Sequence, residues 1–182
     1  MKILVASDLH GSLYYTQKLI EIYQQEQADQ ILLLGDILYH GPRNPLPKDY
    51  NPAEVVKLLN SYADKIWAVR GNCDSEVDQM VLDFNISADM MPLHIEDTLV
   101  IATHGHIYNK QQPPKVSGTY LLLFGHIHIP MAQKTDFGFI GNPGSLVLPK
   151  DNHPSSYGLL TKDKWTVKDI GGEIIAEIEL SK

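Results

Sequence analysis

Five short clusters of aspartate, asparagine and histidine stand out in the sequence because each directly follows a run of apolar residues. In chain order they are Asp8-Leu9-His10, Gly35-Asp36, Gly71-Asn72-Cys73-Asp74, His104-Gly105-His106 and Gly125-His126-Ile127-His128. Carboxylate, amide and imidazole groups suit manganese, iron, zinc or cobalt, whereas structural zinc sites use sets of thiolates. The chain has a single cysteine. The clusters therefore predict a catalytic metal site that is open to water.

Asp36 is the candidate for a bridge between two metal ions. It closes the stretch Leu33-Leu34-Gly35-Asp36, in which buried-strand residues end in a glycine and a carboxylate. Because a carboxylate has two oxygens, one aspartate can bind two divalent ions about 3.5–4 Å apart, the separation used in two-metal phosphoester chemistry. Two ions that share a hydroxide can lower its pKa, aim it at phosphorus and hold the nonbridging oxygens. Asp36 thus points to phosphoester hydrolysis.

Two pairs of candidate ligands are spaced two residues apart, Asp8 with His10 and His126 with His128. On an extended segment, residues at this spacing point to the same side. We therefore expect the members of each pair to bind one ion together. An aspartate at a strand end is also a common helix cap, so the prediction depends on all five clusters rather than on one pair.

The elements that position the clusters are predicted strands alternating with helices. Continuous apolar runs at 3–6, 31–34 and 66–69 are typical of strands covered on both faces. Helices are predicted from Ser12 and from Asn51, each a good N-cap. Strand, helix, strand order predicts a parallel sheet with right-handed crossovers, in which functional groups gather beyond the carboxyl ends of the strands.

The second half of the chain is expected to be mostly β, including a strand at 145–148. A third helix, capped by Asp74 or Ser75, is predicted to bury Val77, Met80 and Val81 at helical spacing. We expect an α/β fold of two packed mixed β-sheets, a sandwich flanked by helices, in one domain spanning residues 1–182.

Charge and cysteine content exclude some classes of protein. The net charge of −7 argues against a protein that holds nucleic acid by neutralising many phosphates. The single Cys73 excludes an intrachain disulfide and fits a reducing compartment. The apolar segment 1–7 is too short for a signal-peptide core or a membrane span. We expect a cytoplasmic protein without membrane or stable nucleic-acid partners. The sequence leaves open whether the protein forms a homo-oligomer.

The five clusters, in this order, resemble the motifs of the calcineurin-like metallophosphoesterases, a resemblance that covers essentially the whole chain. The loop 40–44 and the segments 71–80 and 142–145 are most similar to small bacterial phosphodiesterases of the YfcE type. The resemblance implies a four-layer sandwich with two divalent ions, manganese first and zinc, iron, cobalt or nickel as alternatives. It assigns one ion to Asp8, His10, Asp36 and His128, and the other to Asp36, Asn72, His104 and His126.

Cys73 departs from the family pattern, since many relatives have a histidine there that is thought to protonate the leaving group. A thiol with a pKa of about 8.5 is a poorer acid at neutral pH than an imidazolium with a pKa of about 6.5. Esters with good leaving groups should then be favoured, and diesters over monoesters. The alternative is that Cys73 is a small residue packed beneath the metals.

The remaining candidate catalytic residues beside Cys73 are Asn72, Asp74 and His106. His106 follows a predicted ligand and is expected to contact substrate or a ligand, although an oriented histidine without a catalytic role is the alternative. Asp74 either holds a ligand histidine in orientation or caps a helix.

Arg43 and Asn44 are the candidate substrate-binding residues, because they lie on the loop after Asp36 and could meet a phosphate or a nucleoside. A solvated loop arginine is the alternative for Arg43. The predicted function is a metal-dependent phosphodiesterase that uses a metal-bridging hydroxide on a small phosphodiester. A phosphomonoesterase is one rival. A noncatalytic interaction scaffold is another, because the fold also resembles a retromer subunit that lacks the full ligand set.

Overall fold

The computed structural model describes residues 1–180, which form two β-sheets and three α-helices. In chain order the elements are β1 (Ile3–Ala6), α1 (Leu13–Gln25), β2 (Gln30–Leu33), α2 (Pro52–Asn60), a 3₁₀ turn (Ala63–Lys65), β3 (Ile66–Ala68), α3 (Glu76–Val81), β4 (Met90–Ile95), β5 (Thr98–Thr103), β6 (Tyr120–Leu123), β7 (Pro130–Thr135), β8 (Gly138–Pro143), β9 (Ser156–Leu160), β10 (Lys164–Asp169) and β11 (Ile174–Glu179). Within these residues, no helix combines the length and apolar character that a bilayer crossing requires.

Both sheets are mixed. The first has the strand order β11-β10-β9-β1-β2-β3, in which β1, β2 and β3 are parallel and the last three strands of the chain are antiparallel. The second has the order β4-β5-β6-β8-β7, in which β5, β6 and β8 are parallel. Because β9 pairs with β1, the last three strands of the described chain extend the sheet that β1 begins.

The side chains of β1 show how the sandwich is assembled. Ile3 and Val5 pack between the two sheets, together with apolar residues of β5 and β6. Leu4 and Ala6 point the other way and pack against α1 and α2. Successive residues of a strand face opposite sides, so a continuous apolar run marks a strand buried on both faces. The predicted α/β sandwich with helices against the sheet is confirmed.

The third helix does not bury its apolar side chains, so that prediction was wrong. Val77, Met80 and Val81 are 67%, 82% and 46% exposed. Ser75 caps α3 through a capping box with Asp78, in which each side chain accepts a hydrogen bond from the other residue's backbone N–H. Helical spacing of apolar residues predicts a helix, but whether another element covers that face depends on the tertiary fold.

The segment from Ser145 to Leu148 is not a strand, although it was predicted as one. The Ser145 hydroxyl accepts hydrogen bonds from the backbone N–H groups of Val147 and Leu148 at 3.2 and 3.0 Å. Such local side-chain bonds replace the hydrogen bonds of a strand ladder. Leu146 and Val147 are nevertheless buried, which explains why the apolar residues of this segment led to the prediction of a strand.

All five clusters lie beyond the carboxyl ends of parallel strands, three in the first sheet and two in the second. The two sheets approach closely at this end. The His126 N–H, from the second sheet, donates to Asp8 Oδ2 of the first at 3.0 Å. A side chain at Gly125 would overlap that of Ser7, so only glycine permits this approach. The clusters of both sheets therefore face one region.

Candidate metal centre

Five residues of this region have left-handed backbone conformations, which residues other than glycine adopt rarely. They are Asp8 (φ 60°), His10 (φ 47°), Asp36 (φ 54°), His126 (φ 63°) and His128 (φ 61°). The extended geometry predicted for the two pairs is therefore wrong, since the chain turns sharply after each strand. Conformations of this kind cost on the order of 1–3 kcal/mol each and cluster at functional sites, where surrounding contacts hold them in place.

Backbone hydrogen bonds between neighbouring turns hold these conformations. The N–H groups of Asp8 and His10 donate to the carbonyls of Gly35 and Asp36 at 3.1 and 2.9 Å. In the second sheet, the Gly125 N–H donates to the His104 carbonyl at 2.7 Å. Each turn is thus bonded to the next one, so that the turns form one continuous surface.

Three histidines are oriented in the same way by backbone carbonyls. The Nδ1–H of His10 donates to the Tyr39 carbonyl at 2.8 Å. His104 and His128 make the equivalent bonds to the carbonyls of Leu34 and Leu148, at 2.7 and 2.6 Å. A carbonyl only accepts, so each Nδ1 carries a proton, and each Nε2 is directed away from its carbonyl. Metal-binding histidines are held in this manner, with the second ring nitrogen hydrogen-bonded to the protein.

The Nε2 atoms of these histidines converge on the carboxylates of Asp8 and Asp36. Asp8 Oδ1 lies 3.1 Å from His128 Nε2 and 3.7 Å from His10 Nε2. Asp8 Oδ1 and His10 Nε2 are both buried and have no hydrogen-bond partner in residues 1–180. Buried polar atoms normally have a partner. Two facing acceptors without a donor fit a bound cation.

Asp36 faces both halves of the centre. Its Oδ2 lies 3.9 Å from His10 Nε2 and 3.4 Å from His104 Nε2, while Oδ1 accepts from the Cys73 N–H at 2.8 Å. His104 Nε2 is in turn 3.1 Å from the Asn72 side-chain oxygen. A side chain at Gly71 would overlap the Asp36 carboxylate, so glycine is required there for the close approach of the two loops.

The two histidines of the last cluster lie on different sides of Asp36. The His128 ring is 5.6 Å from that of His10, measured between centroids, whereas the His126 ring is 5.0 Å from that of His104. The two rings therefore adjoin different candidate ligands, whereas the spacing of the pair predicted that they bind one ion together. The ligand atoms of two groups, Asp8 with His10 and His128, and Asp8 with Asp36 and His104, lie within 4.8 Å of one another.

The carboxylates of the centre are ionised. Burial alone would raise the pKa of Asp8, but the adjacent His128 imidazole and the positive charge of His104 hold it far below its usual range. The pKa of Asp36 is also lowered, because the His104 hydrogen bond and charge outweigh burial and the repulsion from Asp8. Burial would lower the pKa of His104, but Asp36 and Asp8 raise it to about 9. Without a metal ion, a proton on His104 partly balances the two negative charges.

Cys73 lies at the edge of the centre, with its sulfur within 4.8 Å of ligand atoms of His10 and Asp36. Burial and then the negative charge of Asp36 raise the pKa of the Cys73 thiol to about 12. The side chain is therefore a neutral thiol at physiological pH. It supplies neither a thiolate nucleophile nor a readily donated proton.

The Asp74 carboxylate binds backbone N–H groups, and no hydrogen bond or ion pair joins it to a histidine in residues 1–180. Its carboxylate accepts from the N–H groups of Asp36, Ile37 and Gly71 at 2.8, 2.8 and 2.7 Å. Ser75 occupies the N-cap of α3. The prediction that Asp74 caps a helix was therefore wrong, and its carboxylate makes no direct hydrogen bond to a ligand histidine within the described residues. It instead joins the loop that carries Asp36 to the loop that carries Asn72.

The centre opens into a cavity of about 560 Å³ whose lining includes the predicted substrate residues Arg43 and Asn44. Ile127 and Lys150 also line it and were missed by sequence reasoning. Lys150 is far from every cluster in sequence and carries no motif. His106 lines a smaller neighbouring cavity of about 170 Å³, which shares His126 and Ile127 with the first.

His106 has a neutral ring. Burial and then the positive charge of His104 lower the pKa of His106. Its Nδ1 is buried without a hydrogen-bond partner within the described part of the chain. Its ring centroid lies 5.3 Å from that of His104 and 6.3 Å from that of His126. His106 is thus close to two candidate ligands.

Asn142 and Ser145 support the turns from beneath. The Asn142 amide donates to the Gly125 carbonyl at 2.9 Å and its oxygen accepts from the Gly144 N–H. The Ser145 hydroxyl donates to the Asp8 carbonyl at 3.4 Å. A Pro-Gly turn was all that the local sequence indicated here.

Comparison with known proteins identifies the family. Residues 1–164 match the calcineurin-like phosphoesterase superfamily domain. The chain belongs to this superfamily. It is 43% identical to the phosphodiesterase YfcE of Escherichia coli K12 over 182 residues, covering 100% of this chain and 99% of that protein. A solved structure of E. coli YfcE, a phosphoesterase, matches with a TM-score of 0.96 over 100% of both chains.

More distant relatives share the superfamily fold. The phosphodiesterase MJ0936 of Methanocaldococcus jannaschii is 27% identical over 151 residues, covering 79% of this chain and 83% of that protein. The structure of Chaetomium thermophilum Vps29 is 18% identical, covers 100% of this chain and 99% of that one, and has a TM-score of 0.66. At that identity the match to Vps29 shows the fold alone.

Replacing Asp74 by asparagine should weaken both the fold and metal binding. The amide has one acceptor oxygen and presents N–H groups to backbone donors. We expect the free energy of unfolding to fall by about 2–4 kcal/mol and the affinity for Mn²⁺ to fall roughly 10–100-fold. Denaturant titration and metal titration measure the two effects. Asp78→Asn, in the exposed capping box of α3, is the matched control and should leave metal affinity unchanged. Unaltered Mn²⁺ affinity in Asp74→Asn would restrict Asp74 to a stabilising role.

Metal binding should release a proton from His104. A metal ligand must be a neutral imidazole, and the pKa of His104 is about 9 before a metal binds. Below that pH a proton competes with the ion, so the affinity should rise about tenfold per pH unit from neutral pH and level off above pH 9. Calorimetry in buffers of different ionisation enthalpy measures the proton released. The exposed His94, changed to glutamine, should alter nothing, and a pH-independent affinity between pH 7 and 9 would contradict the assignment.

Proposed function

We propose that this chain is a metal-dependent phosphodiesterase that hydrolyses a small phosphodiester at a centre holding two divalent metal ions. The observation that carries the proposal is the convergence of three carbonyl-oriented histidines on two ionised, buried carboxylates. The relatives YfcE and MJ0936 are both named phosphodiesterases, and YfcE matches over the whole chain. Membership of the calcineurin-like superfamily supports the same chemistry.

The ligand sets that we propose share Asp36. One ion would be held by Asp8, His10, Asp36 and His128, and the other by Asp36, Asn72, His104 and His126. The position of Asp36 Oδ2 near histidines of both sets supports this division. The separation of the His126 and His128 rings supports it as well. Oxygen and imidazole ligands without a thiolate set suit several divalent ions, and the resemblance to the metallophosphoesterases favours Mn²⁺, with Zn²⁺, Fe²⁺, Co²⁺ or Ni²⁺ as alternatives.

When bound, the two ions would supply an activated hydroxide as nucleophile and would neutralise charge on the nonbridging phosphate oxygens. The chain's own residues provide the surroundings for this reaction. The buried carboxylates of Asp8 and Asp36 stay ionised and so favour cation binding. Arg43 and Asn44 face the same cavity and would orient the phosphodiester. The neutral ring of His106 can make one hydrogen bond as donor and one as acceptor.

The thiol of Cys73 determines which esters react easily. Its high pKa makes it a poor donor of the proton that an alkoxide leaving group needs. Leaving groups with a low pKa depart without that proton, so diesters that carry them should be the better substrates. The high pKa supports the interpretation that Cys73 occupies the position where many relatives have a proton-donating histidine and does not perform that role.

Two further properties follow from the composition. The net charge of −7 supports a small diester rather than a nucleic acid as the partner. Cys73 is a free, half-buried cysteine, which fits a reducing compartment. We propose that the protein acts in the cytoplasm.

The enzyme and scaffold hypotheses differ in a direct assay. Metal-loaded protein should hydrolyse an activated aryl phosphodiester, chelation should abolish the activity, and Mn²⁺ should restore it. His126→Ala should lose at least about 100-fold in turnover while keeping its fold, whereas the exposed His94→Ala should retain full activity. Asp36→Asn should reduce metal content and turnover more than any other single ligand change, because both ions lose the bridging charge.

Two results would overturn this proposal. The first is that metal-loaded protein hydrolyses no ester in a panel of cyclic nucleotides, dinucleotides, glycerophosphodiesters, aryl diesters and monoesters, as a scaffold would behave. The second is that Asp36→Ala retains two ions and near-normal turnover, which would show that Asp36 does not bridge the two ions.

Placing a proton donor at position 73 should raise the activity toward some esters more than toward others. We expect Cys73→His to raise kcat/KM for esters with alkyl leaving groups more than for aryl diesters, within the 10²–10⁴-fold range typical of a positioned acid. Cys73→Ser should change aryl-diester turnover little. Metal content must be measured in the same samples, because Gly41 packs close to the Cys73 sulfur and an imidazole needs space there. Loss of aryl-diester hydrolysis in Cys73→Ser, with both metals bound, would make Cys73 a direct participant.

A further inference from the structure

Two cationic side chains, Arg43 and Lys150, line the cavity that contains the candidate metal ligands. Both are exposed at its rim. The ion pairs formed by lysine and arginine within residues 1–180 involve other side chains, so neither of these two has an acidic partner within 4.0 Å. Two cations without an acidic partner in one cavity are notable in a chain with 22 acidic and 15 basic residues.

Lys150 is attached to the centre through His128. The Lys150 N–H donates to the His128 carbonyl at 3.3 Å, and the Leu148 carbonyl accepts from His128 Nδ1 at 2.6 Å. The His153 N–H donates to the Lys150 carbonyl at 3.0 Å and closes a turn. The backbone of Lys150 is therefore fixed relative to a candidate ligand, even though its side chain is free to reach into the cavity.

Arg43 approaches from a different element, the loop beside Cys73. The Asn44 N–H donates to the Gly41 carbonyl at 3.4 Å, and the Asn44 amide donates to the His40 carbonyl at 2.8 Å. A methyl group at Gly41 would lie 3.2 Å from the Cys73 sulfur, so the loop packs directly against the centre. The two cations thus enter one cavity from the Cys73 side and the His128 side.

The cavity offers more positive charge than a simple phosphodiester needs. A diester carries one negative charge, and the metal centre already meets it. The volume of about 560 Å³ is within the range that holds a drug-sized ligand, so most of the space serves the substituents of the phosphate. Arginine suits planar bidentate contacts with carboxylate or phosphate, and lysine acts as a point charge.

We propose that Lys150, together with Arg43, binds a second anionic group carried by one substituent of the phosphodiester, either a carboxylate or a further phosphate. Lys150 is then a specificity-determining residue. This inference rests on the proposed function, because it uses the metal centre as the site of the reacting phosphate. Since both cations are exposed, their contribution is modest and is screened by salt.

A binding experiment tests the subsite without requiring turnover. The probes are three dibenzylphosphinates, which mimic the diester charge but have no hydrolysable P–O–C bond, with a carbamoyl, carboxylate or phosphonate group on one ring. Calorimetry with the Mn²⁺-loaded full chain should show both anionic probes binding roughly fivefold or more tighter than the carbamoyl probe at low salt. The ratio of the two anionic probes distinguishes a carboxylate from a phosphate. The advantage should disappear at about 1 M salt.

Three variants assign the effect. Lys150→Gln should reduce the preference for anionic probes about fivefold, and Lys150→Arg should retain it. Lys115→Gln is the control, because Lys115 is exposed, has no acidic partner within the described residues and lies outside this cavity. A preference ratio is measured within one variant, so a general loss of folded or metal-loaded protein does not change it.

Hydrolysis of the corresponding aryl diesters separates the two proposals. If the carbamoyl diester is hydrolysed and the carboxylate and phosphonate diesters show no higher kcat/KM, the subsite is overturned and the proposed function stands. If no diester is hydrolysed, the proposed function fails. Equal binding of the three phosphinates to wild type, or an unchanged preference in Lys150→Gln, overturns the role of Lys150 whatever the activity is.

Discussion

The structure depends on the enforced proximity of two buried carboxylates. Asp8 is fully buried and Asp36 is 3% exposed, and each remains ionised although the charge of Asp8 raises the pKa of Asp36. Buried like charges are costly unless cations or hydrogen bonds compensate them. Within the described residues, the compensation includes the N–H groups of His126 and Cys73 and the proton on His104, whose pKa is raised to about 9. A centre organised in this way has a strong electrostatic preference for divalent cations in place of that proton.

The rest of the fold keeps this unfavourable arrangement in place. Five residues on three turns after parallel strands adopt left-handed conformations, and hydrogen bonds between neighbouring turns hold these conformations in place. Asp74 joins two of the loops through three backbone N–H groups, and the His126 N–H connects the second sheet to Asp8. The large apolar core between the sheets supplies the stability that such strain requires. The metal-binding side of the site is therefore rigid, built from strand ends and backbone carbonyls.

The substrate side has a different character. Arg43 and Lys150 lie on turns, and their side chains are exposed and free of ion pairs within the described residues. Cys73 stays a neutral thiol because burial and Asp36 both oppose its ionisation. Under the proposed function, a fixed centre would perform the same hydrolysis on different esters, and the loop cations and the neutral thiol would select among them. The motifs would then set the reaction class, and the loops would set the substrate.

The amino-acid sequence by itself determined the strands, the capped helices α1 and α2, the α/β sandwich and the five clusters at strand ends, because apolar periodicity, caps and strand order are local signals. It did not determine what covers each element or where a turn directs a side chain. The tertiary structure decided five features that the sequence left open. They are the exposed face of α3, the buried turn after Ser145, the opposite directions of His126 and His128, the backbone contacts of Asp74 and the position of Lys150 in the cavity lining. Each depends on contacts between segments far apart in the chain, for which local patterns carry no information.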